Sequence, residues 1–120
     1  MKEYFKLEEF ACPDCGKNLI SPALVDRLNE AREIAEVPFI INSGYRCEKH
    51  NKEVGGSPTS SHLKGLAVDI RTTNSSDRFK ILSSLLASNF RRLGVGKDFI
   101  HADLDSAKAQ EVIWDYYKGG

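Results

Sequence analysis

Long apolar runs are missing from this chain. No stretch approaches the roughly 20 consecutive hydrophobic residues that span a bilayer, so no membrane-crossing helix is expected. The first residues, Met-Lys-Glu-Tyr-Phe-Lys, lack the apolar core of a signal peptide. The expectation is a chain made and kept in the cytoplasm unless another system releases it. An excess of one charge is missing too: Lys plus Arg and Asp plus Glu stand at 17 each, and nucleic-acid partners usually select a basic surplus. Cysteine is scarce and odd in number, at three, whereas a small disulfide scaffold favours an even set. A reduced compartment fits better, with thiols free or on a metal. There is no internal repeat, low-complexity tract or linker.

What remains is the composition of one ordinary globular domain spanning residues 1–120, 41% hydrophobic and 28% charged. Ser21-Pro22 supplies an N-cap and a proline at the first helical position. Leu24, Val25, Leu28, Ala31 and Ala35 then recur on one helical face, and Val37-Pro38 ends the helix. Phe39-Ile40-Ile41 reads as a short buried strand leading into the turn Ser43-Gly44-Tyr45-Arg46. Residues 47–64 are polar and rich in Gly and Ser, the mark of a long loop, either functional or disordered. Leu66, Val68 and Ile70 alternate with Ala67, Asp69 and Arg71, a strand with one apolar and one polar face. A second helix is expected from about Ser75 to Asn89, burying Phe79, Leu82, Leu85 and Leu86. Leu93 to Val95 and Phe99 to Leu104 read as strands, and Val112 to Tyr117 as a final strand. Strands and helices mix without strict alternation. The expected class is α+β, a small mainly antiparallel sheet packed with two main helices.

The chemistry concentrates in S-x-H-x-x-G-x-A-x-D, at Ser60, His62, Gly65, Ala67 and Asp69, followed by H-x-D at His101 and Asp103. Singly, His62 reads as a surface histidine and Asp69 as a turn or salt-bridge residue. Together, His62, Asp69 and His101 make the nitrogen and oxygen donor set of a hydrolytic zinc, which takes three protein ligands and keeps a fourth position for water. His101 and Asp103 share a strand face, with Phe99 beside them and Ile100 and Leu104 opposite. Arg46 follows a glycine turn, from which its planar fork suits either a developing oxyanion and substrate carboxylate or a structural ion pair. Tyr45 and Ser60 are secondary candidates, Ser60 as a brace of its loop.

These motifs resemble the M15 zinc peptidases, a group that includes D-Ala-D-Ala carboxypeptidases, vancomycin-resistance dipeptidases and phage endolysin peptidases, and shares its core with the Hedgehog signalling domain. The resemblance runs over residues 40–103, and the Cys-bearing start is most similar to the short phage and prophage branch. It implies zinc on His62, Asp69 and His101, an electrophilic Arg46, and a general base three residues before the last histidine, where Asp98 stands. Asp103 competes, either as the base or as the acceptor that orients a histidine. The implied substrate is a peptidoglycan stem or cross-link peptide containing D-residues, cut by a carboxypeptidase or endopeptidase, with phage machinery carrying the enzyme to the wall. A zinc-containing binding domain or phage accessory without turnover is the competing reading.

Cys12-x-x-Cys15 and Cys47-x-x-His50 have knuckle spacing and offer a second, structural zinc site with Cys12, Cys15, Cys47 and His50 as ligands. A thioredoxin-like redox role lacks its βαβ context.

Overall fold

A computed structural model describes residues 3–117. Its elements are α1 (Pro22–Ala35), β1 (Ile41–Ser43), α2 (Glu48–Glu53), β2 (Ala67–Arg71), α3 (Ser75–Ala87), β3 (Arg92–Val95), β4 (Phe99–Asp103) and β5 (Val112–Asp115), with short 3-10 turns at Leu7–Phe10 and Ser61–Lys64. Five strands form one sheet in the order β1-β2-β4-β3-β5. Every pairing is antiparallel except β3 with β5, which is parallel. The class is the α+β arrangement read from the sequence, with one parallel edge added.

Helix α1 begins where its cap was expected, with Ser21 Oγ accepting from Leu24 N at 3.4 Å and Pro22 in the first turn. It stops at Glu36, which takes a left-handed conformation at φ 58°. Leu24, Leu28, Ala31 and Ala35 are buried. Helix α3 is capped by Asn74, whose Oδ1 accepts from Asp77 N at 2.8 Å. Its buried face matches the expected one only in part: Leu85 is buried and Leu82 packs against the core. Phe79 and Leu86 are exposed, whereas Ile81, Ser84 and Leu85 turn inward. The helix carries two apolar stripes, and the i, i+4 pair Ile81 and Leu85 is the one that meets α1 and the sheet. The polar stretch 47–64 also departs from a plain loop, since it contains α2 and a 3-10 turn.

Strand periodicity assigns the two faces of the sheet. Val68, Ile70, Leu93, Ile100 and Ala102 join Leu24, Leu28, Ile81, Leu85 and Phe90 in the core. Their neighbours in sequence, Asp69, His101, Asp103, Gly94 and Trp114, lie on the other side. In register, Ser43 faces Asp69, Asp69 faces His101, His101 faces Gly94 and Gly94 faces Trp114. One row across all five strands therefore gathers residues that are scattered along the chain. Among the described residues, no helix is long and apolar enough to cross a membrane.

Candidate metal centre

The spacing of the His62 motif has a local structural cause. Ser60 Oγ accepts from His62 N at 3.2 Å and starts the 3-10 turn that carries the histidine. Gly65 ends that turn at φ 70°, a region L-residues avoid, and a Cβ there would run into the Leu19 carbonyl. Two residues later β2 begins, and Asp69 emerges on its polar face. His62 Nε2 then lies 3.4 Å from Asp69 Oδ1, and His101 Nδ1 lies 3.0 Å from the same oxygen. One donor atom from each of His62, Asp69 and His101 falls within 4.8 Å of the others.

This donor set fits zinc. Tetrahedral ligands at about 2.1 Å from a metal stand about 3.4 Å apart, close to the two separations above. The ring nitrogens pointing away from the cluster are also occupied. His62 Nδ1 lies 2.7 Å from the Gly44 carbonyl, and His101 Nε2 lies 2.7 Å from Asp103 Oδ2. Each of those outer nitrogens donates its proton outward, so Nε2 on His62 and Nδ1 on His101, which face Asp69 Oδ1, are the nitrogens that a metal would take in place of a proton. Fixing the tautomer through the second nitrogen is how metal-binding histidines are commonly held.

Charge balances around the cluster. Arg46 Nη2 bonds Asp69 Oδ2 at 3.2 Å, its Nε bonds Ser43 Oγ at 2.9 Å, and its Nη1 bonds Asn51 Oδ1 at 3.2 Å. Arg92 Nε donates to Asp103 Oδ1 at 2.8 Å, and its guanidinium lies 4.9 Å from the Trp114 ring centre. Burial works against ionisation of Asp69, yet hydrogen bonds from His101 and His62 hold its carboxyl far below the usual range. Burial likewise works against charge on His101, but Asp103 and Asp69 raise its pKa above the ordinary 6.5. Asp103 is held low despite its burial by His101, the Asp105 amide and Arg92.

Asp98 does not join this group. It is exposed in the β3–β4 turn and lines a separate cavity with Arg71, Thr72, Asn74, Arg78 and Lys97. The β2–β4 register runs without a bulge from Ala67↔Asp103 to Arg71↔Phe99. Asp98 precedes Phe99, the first paired residue of β4, and is not among the residues lining the cleft over the cluster. Asp103 is next to His101, but both its oxygens are engaged, Oδ1 by Arg92 and the Asp105 amide (3.0 Å) and Oδ2 by His101. Asp103 thus stands behind His101 as a hydrogen-bond acceptor.

A cleft of about 370 Å³ opens over the cluster. Phe99, Trp114 and Tyr116 form one wall, and Arg46, Ser57, Ser60 and Lys108 lie around the rest. Trp114 stacks beside His101 at 5.5 Å between ring centres. It can do so because Gly94 lies between them, where a Cβ would come within 2.6 Å of Trp114 Nε1. Partial burial raises the pKa of the Tyr116 hydroxyl above its ordinary 10. Trp114, Tyr116, Arg92, Ser43 and Asn51 were not singled out from the sequence. Alternation in the final strand could have pointed to Trp114, but nothing local could have paired Arg92 with Asp103.

A family model for peptidase M15 matches residues 3–103. The chain belongs to the M15 peptidase family. It is therefore a metallopeptidase of a zinc-dependent family, with His62, Asp69 and His101 as the candidate ligand group in the described residues. No curated protein matches the chain. The M15 match covers the thiol-bearing segment as well as both metal motifs. Cys12, Cys15 and Cys47 form a second group whose sulfurs lie within 4.8 Å of one another, and His50 is not part of it. Burial disfavours the Cys12 thiolate, but amide donors from Cys47, Cys15 and Asp14 bring its pKa down to about 7.

Proposed function

We propose that this M15 protein hydrolyses amide bonds in peptidoglycan stem or cross-link peptides that contain D-residues. The observation that carries the reading is the inward-facing set of His62 Nε2, Asp69 Oδ1 and His101 Nδ1 at the floor of a cleft. Zinc held there would supply Lewis-acid polarisation and a nucleophilic water at neutral pH.

The chain's own residues prepare the rest. Gly44 O and Asp103 fix the two imidazole tautomers. Arg46 spends three of a guanidinium's five N–H groups on Ser43, Asn51 and Asp69. Two remain to meet the carbonyl oxygen as negative charge develops on it, a contribution that grows in a water-poor cleft. The protonated Tyr116 hydroxyl stands at the aromatic wall as a neutral donor. Phe99, Trp114 and Tyr116 offer an apolar surface to one side chain of the peptide.

The test uses synthetic stem peptides ending in D-Ala-D-Ala, together with cross-linked and all-L analogues. Each is incubated with metal-stripped and zinc-reconstituted protein, and amine release is followed by mass spectrometry. Zinc-dependent release from the D-containing peptides alone is the expected result. Equal cleavage of all-L peptides would refute the substrate class. Zinc-dependent binding without amine release would make this a binding domain instead.

A further inference from the structure

The three thiols stand apart from the catalytic cleft and need a separate account. A 3-10 turn at Leu7–Phe10 delivers Cys12 into a tight loop. Gly16 N donates to Cys12 O and Cys12 N to Lys17 O, each at 2.8 Å, and Gly16 takes φ 74°. This closed turn brings the Cys15 sulfur back beside that of Cys12. Cys47 arrives from the other side as the N-cap of α2, one residue after Arg46.

We propose that Cys12, Cys15 and Cys47 bind a second zinc ion that is structural, with Asp14 or solvent at the fourth position. Three sulfurs within 4.8 Å of one another match thiolate coordination, since tetrahedral sulfurs about 2.3 Å from zinc stand about 3.8 Å apart. The Cys12 and Cys47 sulfurs are 3.6 Å apart, far from the roughly 2.05 Å of a disulfide. Backbone amides point at the sulfurs. Cys47 N lies 3.5 Å from Cys12 Sγ, and His50 N lies 3.4 Å from Cys47 Sγ. Donors aimed at sulfur favour the anionic form that a metal requires. The Asp14 carboxylate approaches Cys47 Sγ at 3.9 Å but lies outside the three-sulfur group, so it would have to swing in to serve as the fourth ligand. His50, which the spacing offered as the fourth ligand, contributes its amide and stays outside the group.

The position of this ion gives it a purpose. Tyr45 N bonds Phe10 O at 2.8 Å, and a Cβ on Gly44 would come within 2.6 Å of the same carbonyl. The clip thus fastens the N-terminal segment to residues 44–47. These carry the carbonyl that orients His62 and the guanidinium that faces Asp69. Losing the ion is expected to loosen Arg46 and the Gly44 carbonyl that orients His62, while leaving Asp69 and His101 in place on their strands.

The test counts zinc and reads cobalt, and it does not depend on peptidase activity. Anaerobically purified, reduced wild type is expected to hold two zinc ions per chain, and a thiol-specific mercurial should release one of them. The His62→Ala/His101→Ala variant should keep one. Metal-stripped wild type titrated with cobalt should develop the intense thiolate-to-cobalt charge-transfer absorption. Cys15→Ser, at an exposed position, should weaken that band's titration at least tenfold with an unchanged circular dichroism spectrum. Absence of the band in reduced wild type would overturn the proposal without any variant. So would a band indifferent to Cys15→Ser, or a single zinc that leaves with the histidines. Loss of the histidine-bound zinc alone would instead count against the catalytic site and leave this one standing.

Discussion

Asp103→Asn isolates how the structure tunes its candidate metal ligands. In the wild type, Asp103 Oδ2 accepts from His101 Nε2 at 2.7 Å, which leaves Nδ1, on the Asp69 side, as the nitrogen that a metal would take. Asparagine is nearly isosteric, and its carbonyl can keep the bonds to Arg92 Nε and the Asp105 amide that Oδ1 now makes. Its NH2 group is then left facing Nε2. A donor there stabilises the wrong tautomer, with the proton on Nδ1, the atom meant for the metal. The same inversion follows when a carboxylate behind a catalytic histidine becomes an amide. Loss of such an orienting partner typically costs 10–100-fold in metal affinity, or about 1.4–2.8 kcal/mol.

Zinc affinity measured by competition with a chromophoric chelator should therefore fall by about 10–100-fold in Asp103→Asn. Asp98→Asn, at an exposed turn off the cleft, should bind zinc as the wild type does and keep its turnover. Affinity within twofold of wild type in a folded Asp103→Asn protein would refute the tautomer argument. A collapse of turnover in Asp98→Asn with zinc retained would restore Asp98 as the base.

Arg46→Lys keeps the charge but loses the planar fork that reaches Ser43, Asn51 and Asp69 at once. It should lower kcat by about 10²–10³ with zinc content unchanged, and unaltered kcat would exclude an electrophilic role. The buried face of α3 is tested by a pair of substitutions. Leu85→Ala should cost about 2–5 kcal/mol in denaturant unfolding, and Phe79→Ala, at 73% exposure, within about 0.5 kcal/mol. The reverse order would mean the helix face is misassigned. The pH dependence of the metal-free protein follows from opposing shifts. Asp69, Asp103 and Asp105 are held low, so their contribution is present above about pH 4 and is lost as the pH falls through their folded values. His101 is held high, so its contribution is full below about pH 6.5 and is lost as the pH rises through its folded value. Denaturant unfolding without metal should be most resistant between about pH 4 and 6.5, and stability still climbing above neutrality would contradict this.

How much of this was legible depended on how local each signal is. The His62 motif could be read because its cap, its left-handed glycine and its strand parity all lie within ten residues. His101 and Asp103 could be read because an offset of two keeps them on one strand face. The same rule argued against Asp98, where the family resemblance pulled the other way; the structure leaves Asp98 in the turn before β4, outside the residues lining the cleft. The inward face of α3 could not be chosen from its pattern. The apolar set Phe79, Leu82, Leu85 and Leu86 was as good a stripe as one through Ile81, and packing kept Leu82 and Leu85 inward while leaving Phe79 and Leu86 exposed. Arg92 and Trp114 were out of reach for another reason: each enters the site through β3 and β5 pairings that no short window contains.

The sheet explains why so small a domain can hold a reactive cluster without weakening its core. Along β2 and β4 the even-numbered positions, Val68, Ile70, Ile100 and Ala102, are fully buried against the helices. The odd-numbered ones carry Asp69, His101 and Asp103. A shift of one residue in either strand would exchange the two sets, sending carboxylates into the core and aliphatic groups into the cleft. The hydrophobic face therefore fixes the register that aligns Asp69 with His101. The polar row adds its own requirements, a glycine at 94 so that Trp114 can reach His101 and an arginine at 92 to neutralise Asp103. Core and site are specified by the same alternation, so a substitution that slips the register should damage both at once.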